Sequence, residues 1–291
     1  MVWGSAGFFI GTVLGSFIKV LADRSLREQS FWGRSYCTYC KKNLQWYDLF
    51  PILSYLILGG KCRYCHKNIG IEYLLVEVGM GILIGYLFFQ SFSSFQSSVF
   101  LLDLISKTFF ITILAVLFIT DIKKMFIPDR IILPAITIGI TFITVITIIK
   151  IIFLYYYLSQ TIIGQKLLPP HSDYFQRHAL MTAEPLFGGI LMALLISGFF
   201  MALIIITKGK GMGGGDVKLG AFIGLMLGFP QALIALMFSF ISGAVFSLFL
   251  IILGKKHFGQ SIAFGPFLVL GSLISLYWGD KILNWYLRLQ I

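Results

Sequence analysis

The feature that most constrains this chain is the length of its uncharged apolar segments. The longest runs from Leu219 to Gly254 without a charged residue, and it is long enough to cross a membrane twice with a turn near Phe229 and Pro230. Hydrophobic residues make up 58% of the 291 residues, and charged residues only 12%. A soluble fold of this size cannot cover so much apolar surface, so the composition predicts an integral membrane protein.

Charged residues mark the ends of about eight predicted transmembrane helices, so the predicted fold class is an all-α polytopic membrane protein. The first apolar segment has no basic residue before its core, and its first charge, Lys19, stands at its far end. We interpret it as a permanent anchor rather than a secretory signal. The sixth predicted helix is the shortest. The predicted helices lie near residues 3–22, 73–90, 99–120, 131–157, 184–206, 217–232, 233–253 and 261–279.

The chain divides into three predicted parts. Residues 1–22 form the first transmembrane helix, residues 23–72 a polar four-cysteine domain, and residues 73–291 a transmembrane core. A second polar stretch, residues 158–183, contains two consecutive prolines and no apolar period, which predicts an irregular loop.

The formal net charge of +11 is distributed unevenly among the predicted loops. If the N-terminus lies outside, the inner loops together with Lys19 hold 17 of the 23 lysines and arginines. This asymmetry follows the positive-inside rule and predicts that orientation. The basic charge is then explained by topology, and we expect no nucleic-acid partner. The predicted inner loops are residues 23–72, 121–130, 208–218 and 254–260.

Two aspartates, Asp121 and Asp216, lie at the same predicted depth, at the inner ends of the third and sixth helices. An ionisable side chain in a membrane bundle costs about 2.5–3.5 kcal/mol and is by default a functional hypothesis. Two adjacent carboxylates cannot both ionise, so such a pair can share a proton and act as general base and general acid in peptide hydrolysis. Alternatively, Asp121 pairs with Lys123 or Lys124 at the inner surface. A third aspartate, Asp129, directly follows a proline, and we interpret it as a helix N-cap.

Glycines surround the second aspartate of this predicted pair. Five of the residues in 209–215 are glycine, which would let an extended peptide backbone approach Asp216. Gly220, Gly224 and Gly228 follow at intervals of four and predict a helix face on which another helix packs closely. Alternatively, this spacing arises by chance, because glycine is common in membrane helices. A continuous helix would place Asp216 on the same face, directed into the bundle.

The polar domain contains all four cysteines of the chain, in two C-x-x-C pairs. Cys37 and Cys40 form the first pair, and Cys62 and Cys65 the second. This spacing is typical of a four-thiolate zinc site, which is structural because no coordination position stays open. Two disulfides are the alternative, but the predicted inner location keeps thiols reduced. His66 is interpreted as a surface residue and not as a further ligand.

Five segments of the chain resemble the type IV prepilin peptidases, which are bifunctional leader peptidases and N-methyltransferases of pilus, secretion and competence systems. The resemblance runs from end to end, and five motifs in the right order are highly specific. The segments are GSFIKVLADR (15–24), the cysteine loop (34–77), DIKKMFIPD (121–129), GMGGGDVKLG (211–220) and AFGPFLVLG (263–271).

The resemblance implies an aspartyl protease of the G-x-G-D type, with Asp121 and Asp216 as the catalytic pair. It implies a multi-pass protein of the bacterial inner membrane whose active site faces the cytoplasm. There it would cut the short basic leader from type IV prepilins or pseudopilins after a glycine. The new N-terminal residue, usually phenylalanine, would then be methylated from S-adenosyl-L-methionine. The resemblance assigns no residue to the methyl donor, and no oligomeric state follows from the sequence.

Two other functions stay open at this point. One is a leader peptidase without methyltransferase activity, and the other is an ion or solute transporter with a structural zinc domain. The basic inner loops should repel a basic leader, so acidic residues are expected to compensate locally. Lys19 also departs from the resemblance, since the family usually has asparagine there. The acidic residues available for this compensation are Asp23, Glu28, Asp48, Glu72 and Glu77.

Overall fold

The structure is a computed structural model, and it describes residues 2–93, 99–160, 162–169, 172–209, 211–254 and 263–288. Within these ranges the chain is built from helices, with a short 3-10 turn at Trp46–Leu49 and two isolated β-bridges in the cysteine domain. The helices are α1 Val2–Leu26, α2 Leu53–Ile57, α3 Glu72–Ser93, α4 Phe100–Lys124, α5 Asp129–Ser159, α6 Ile162–Lys166, α7 Tyr174–Ile206, α8 Gly214–Leu227, α9 Gln231–Ile252 and α10 Gly265–Arg288.

The prediction of an all-helical, multi-pass membrane protein is confirmed. Eight of the described helices, all except α2 and α6, lie at the positions of the eight predicted spans, and six of these are long and apolar enough to cross a membrane. The two outside this group are α8 and α10. At 1.5 Å per residue the 14 residues of α8 extend about 21 Å, which is less than the hydrocarbon core of about 30 Å. The sixth predicted span is therefore a short helix.

The stretch 158–183 differs from the predicted irregular loop. Helix α5 continues to Ser159, the short α6 follows, and α7 already begins at Tyr174. Residues 174–183 contain neither glycine nor proline, and the rings of Tyr174 and His178 stack one turn apart with centroids 3.8 Å apart. Local helix-forming interactions thus extend α7 beyond its apolar segment, where hydropathy gives no signal.

Contacts divide the chain into two compact units. The first unit comprises Met1–Phe95 and Lys107–Pro128, and the second comprises Gln96–Ser106 and Asp129–Ile291. The first unit contains α1, the cysteine domain, α3 and most of α4. The second contains the helices from α5 onward.

Glycines bring α1 and α3 together in the first unit. Gly7, Gly11 and Gly15 stand four residues apart on α1, and all three are buried. A Cβ on Gly15 would lie 2.8 Å from the Cα of Glu77, and a Cβ on Gly11 would overlap the Met80 carbonyl. The two backbones are thus in direct contact, as small-residue faces allow in membranes. This face was not predicted, although the spacing of four between its glycines is visible in the sequence.

The predicted glycine face of α8 is observed in the second unit. A Cβ on Gly220 would lie 2.7 Å from the Phe200 ring, and a Cβ on Gly224 would lie 2.7 Å from the backbone nitrogen of Ala193. Both neighbours belong to α7. Gly228 also lies beside α7, since a Cβ there would be 3.7 Å from the backbone nitrogen of Gly189, and it ends α8 with a φ of +66° that favours glycine.

We expect Gly11→Val to destabilise the protein, because the added side chain meets backbone atoms that cannot move aside. Overpacking of this kind costs about 1–3 kcal/mol. Gly79→Val on α3 is the matched control, because a Cβ there meets nothing within 4 Å among the described residues. Thermal unfolding of both variants in detergent measures the difference. Equal unfolding temperatures would contradict the close α1–α3 contact.

Candidate active site and metal centre

The two C-x-x-C pairs fold into the same tight turn. In each turn the amide of the first cysteine donates to a carbonyl five residues later, while its own carbonyl accepts from an amide four residues later. The residue after the second cysteine has positive φ, +60° at Lys41 and +54° at His66. The hydrogen bonds are Cys37 N to Lys42 O, Lys41 N to Cys37 O, Cys62 N to Lys67 O and His66 N to Cys62 O, each 2.9 Å.

These turns direct all four cysteine side chains to one point. The four Sγ atoms lie within 4.8 Å of one another, and those of Cys37 and Cys65 are 3.8 Å apart. A tetrahedral ion with Zn–S bonds of about 2.3 Å has sulfur–sulfur edges of about 3.8 Å. The cluster therefore fits a tetrahedral cation. His66 is exposed and lies outside the cluster, as the sequence indicated.

The Cys65 thiol of this cluster has a raised pKa. A hydrogen bond from the Lys67 backbone lowers the pKa of Cys65, but burial and the three neighbouring thiols outweigh it and raise the pKa to about 11. Binding of a divalent cation must therefore release protons, and metal affinity should fall as the pH falls.

Three contacts fix the cysteine domain within the first unit. The Asp48 carboxylate, whose side chain is 3% exposed, pairs with the Arg63 guanidinium at 2.7 Å and joins the 3-10 turn to the second cysteine turn. The Ile52 amide donates to the Glu77 carboxylate of α3 at 2.7 Å. The Arg24 guanidinium of α1 donates to three main-chain carbonyls at residues 31, 33 and 34.

A cluster of four charges joins α1, α3 and the end of α4. Lys19, only 2% exposed, lies 2.6 Å from Asp23 and 3.3 Å from Glu72. Lys123 lies 3.1 Å from Asp23 and 2.7 Å from Glu72. The Tyr73 hydroxyl donates to Asp23, and the Tyr73 ring lies under the Lys19 ammonium at 4.4 Å. The i,i+4 spacing of Lys19 and Asp23 was the one local signal for this cluster.

This cluster corrects one expectation. Asp23 and Glu72 are each paired with two lysines, and Asp48 is paired with Arg63, so these three carboxylates do not offer free charge to a basic leader. The reason is that these carboxylates already form ion pairs with lysine and arginine side chains of the same unit.

Asp121 and Asp216 are both buried at helix ends. Asp121 lies in the last turn of α4 and is 5% exposed, whereas Asp216 lies in the first turn of α8 and is 9% exposed. Lys123 bonds to the charge cluster and Lys124 to the Leu26 carbonyl, so both lysines have partners other than Asp121. Asp121 belongs to the first unit and Asp216 to the second, and their pairing stays a prediction.

The glycines before Asp216 leave space beside its carboxylate. A Cβ on Gly214 would meet nothing within 4 Å among the described residues, and a Cβ on Gly213 would meet only the Asp216 carboxylate, at 3.9 Å. Packing therefore does not demand glycine at these two positions. The N-terminal end of α8 also stabilises a negative charge on Asp216 through the helix dipole.

Asp129 has a structural partner. It is the first residue of α5, and its carboxylate, 56% exposed, lies 2.5 Å from the Lys218 ammonium of α8. This ion pair joins two helices of the second unit at the surface.

Comparison with known proteins matches both parts of the chain. Residues 9–91 match the Bacterial Peptidase A24 N-terminal domain, and residues 108–248 match the Type IV leader peptidase family. No solved structure matches the chain.

Full-length relatives carry a single name, prepilin leader peptidase/N-methyltransferase. The one from Bacillus subtilis is 29% identical over 286 residues, 98% of each chain. The one from Aeromonas salmonicida is 29% identical over 257 residues, 87% of this chain and 74% of the relative. The one from Pseudomonas aeruginosa is 27% identical over 254 residues, which is 87% of this chain and 74% of the relative. With both family models matched in order along its length, the chain belongs to the type IV leader peptidase family.

Proposed function

We propose that this protein removes the short basic leader from type IV prepilins or pseudopilins and N-methylates the residue that cleavage exposes. The proposal depends on one observation: the buried aspartates and the cysteine cluster both lie within the regions that match the family models. Asp121 and Asp216 are buried at helix ends inside the matched peptidase region, and the four-cysteine cluster lies inside the matched N-terminal domain. The names of the relatives describe the same two activities.

Peptide hydrolysis needs one ionised and one protonated carboxyl group. Asp121 and Asp216 would share a single proton, because two adjacent carboxylates cannot both ionise. The ionised member takes a proton from water as the water oxygen attacks the scissile carbonyl carbon, while the protonated member donates its proton to the carbonyl oxygen. The tetrahedral diol then collapses, the C–N bond breaks, and the leaving nitrogen takes a proton from a carboxyl group.

Cleavage creates the acceptor of the second reaction. The amide nitrogen of the intact prepilin is not nucleophilic, whereas the released α-amine has a free electron pair once it is deprotonated. S-adenosylmethionine supplies a methyl group that leaves a sulfonium sulfur. A C–N bond forms as the C–S bond breaks, the bonding electrons pass to sulfur, and the nitrogen loses a proton.

We propose zinc as the cation of the cysteine cluster, with a structural role. The support is the 3.8 Å sulfur–sulfur distance between Cys37 and Cys65 and the choice of four soft ligands. Four thiolates leave no position for substrate. The domain of residues 23–72 would then be a rigid support beside the membrane core of residues 73–291.

We propose that the protein lies in the bacterial cytoplasmic membrane with its N-terminus outside. The cysteine domain and both aspartates would then face the cytoplasm, where basic leaders remain. The distribution of lysine and arginine supports this orientation, since 17 of 23 fall on that side including Lys19.

We expect Asp121→Asn and Asp216→Asn each to reduce leader cleavage at least about 100-fold, because each removes one half of the acid–base pair. Asp129→Asn is the matched control, since its carboxylate is exposed and bonded to Lys218. Mass spectrometry of a candidate prepilin after co-expression measures cleavage. Near-normal cleavage by either of the first two variants, in protein that is still inserted, would contradict the catalytic pair.

We expect Cys62→Ser to lose bound zinc and to reduce methylation more than cleavage. His66→Ala is the matched control, because His66 is exposed and outside the cluster. Elemental analysis of purified protein measures the zinc, and mass spectrometry of the processed pilin measures the methyl group. Wild-type protein that contains no zinc would exclude the assigned metal.

We expect a membrane-impermeant thiol reagent added to intact cells to label Ser172→Cys and not Lys208→Cys. The first lies before α7 on the predicted outer side, and the second follows α7 on the predicted inner side. Labelling of the unmodified chain gives the background from its four cysteines. The reverse pattern would overturn the orientation.

A further inference from the structure

An open cavity of about 430 Å³ lies within the first unit and is lined by α1, α3, the end of α4 and the cysteine domain. Its volume falls in the range of about 300–1,000 Å³ that holds small organic ligands. The wall combines charged, aromatic and cysteine side chains, which include Lys19, Glu72, Tyr73, Glu77, Cys37 and Cys62.

The charges around this cavity do not suit a basic peptide. Asp23 and Glu72 are already balanced by Lys19 and Lys123, so this group of four carries no net charge. If a basic peptide bound one of these carboxylates instead, the charge of Lys19, which is 2% exposed, would be left buried without its partner. A ligand that brings balanced charges of its own fits better.

Glu77 adds one buried carboxylate that has no cationic partner among the described residues. It is 7% exposed, and its contacts are the Ile52 amide at 2.7 Å and the Ser16 hydroxyl, both neutral. A buried carboxylate is strongly stabilised by a cation that enters its cavity. The cavity therefore favours a ligand with a positive centre that is itself largely apolar around the charge.

The aromatic and basic groups of the wall match the rest of such a ligand. Tyr36, Tyr39, Tyr55 and Tyr73 line the cavity, so its wall contains aromatic groups suited to a base or a cation. Arg27 also lines it and is exposed, so its guanidinium is available for a ligand carboxylate.

We infer that this cavity is the binding site of the methyl donor, S-adenosylmethionine. Glu77 would balance the positive charge of the sulfonium, and Arg27 would bind the donor's carboxylate. The inference rests on the proposed methyltransferase function and adds the location of its donor. Because Cys37 and Cys62 form part of the wall, a metal held by the four cysteines would stabilise the shape of the donor site.

The test compares two ligands that differ in one charge. Calorimetric titration of the purified full chain with S-adenosylmethionine and with S-adenosylhomocysteine, which lacks the sulfonium, gives both affinities. Glu77→Gln keeps the acceptor for the Ile52 amide and removes the charge. We expect it to weaken binding of the sulfonium ligand at least about 10-fold while binding of the thioether changes less than about 2-fold. Lys150→Gln, an exposed site of the second unit, is the control.

If Glu77→Gln lost the same affinity for both ligands, or lost affinity for neither, the assignment of Glu77 would be overturned. Photo-crosslinking of radiolabelled S-adenosylmethionine to the wild-type chain, followed by peptide mapping, tests the cavity without any substitution. Label within residues 16–77 supports the cavity, and label confined to the second unit overturns it.

Failure of the cavity assignment and failure of the proposed function give different results. If wild-type protein releases a processed pilin without a methyl group and binds no donor, methyl transfer itself is wrong. If it methylates the pilin but the crosslink maps to the second unit, only the location of the donor is wrong.

Discussion

The buried ammonium of Lys19 is the constraint on which the first unit depends. At 2% exposure its charge is tolerable only because two carboxylates lie at hydrogen-bonding or ion-pair distance. One of these belongs to α1 and the other, Glu72, begins α3, so the two helices must run close together. The glycines at positions 7, 11 and 15 allow that approach by leaving no side chain between the backbones. Removing Asp23, the less exposed of the two carboxylates, would leave the buried Lys19 charge poorly compensated and destabilise the first unit.

The same cluster sets the position of the chemistry around it. Lys123 stands two residues after Asp121 and binds the carboxylates that also bind Lys19, so the end of α4 is tied to α1 and α3. The cysteine domain is held by Glu77 from α3 and by Arg24 from α1. A single charged layer at the end of these three helices therefore supports a proposed catalytic carboxylate, a metal centre and a cavity.

How much of this was predictable depends on whether the signal is local. The length of the apolar segments predicted the helices, and the C-x-x-C spacing predicted the cysteine cluster. Both signals depend only on residues that are close together in the sequence. The partners of Lys123 lie about 50 and 100 positions away in sequence, and the α1–α3 glycine face becomes meaningful only once α3 is beside it. The sequence offers Glu77 as a charge for a leader, but its side chain is buried within the first unit and accepts a hydrogen bond from the Ile52 amide. The start of α7 was missed because Gln176, Arg177 and His178 interrupt its apolar residues, although no glycine or proline within residues 174–183 breaks the helix.

The cavity would give the proposed metal centre a role that needs no metal chemistry. Four thiolates around one ion leave no position for a substrate atom, so an effect of the metal on methyl transfer must act through shape. Cys37 and Cys62 line the cavity directly, while the neighbouring Asp48 carboxylate holds the second cysteine turn through Arg63. Loss of the ion would release both turns and with them one wall of the proposed donor site, whereas Asp216 belongs to the other unit and packs against different helices. The two activities should therefore differ in metal dependence for a geometric reason, although the second can begin only after the first has produced its amine.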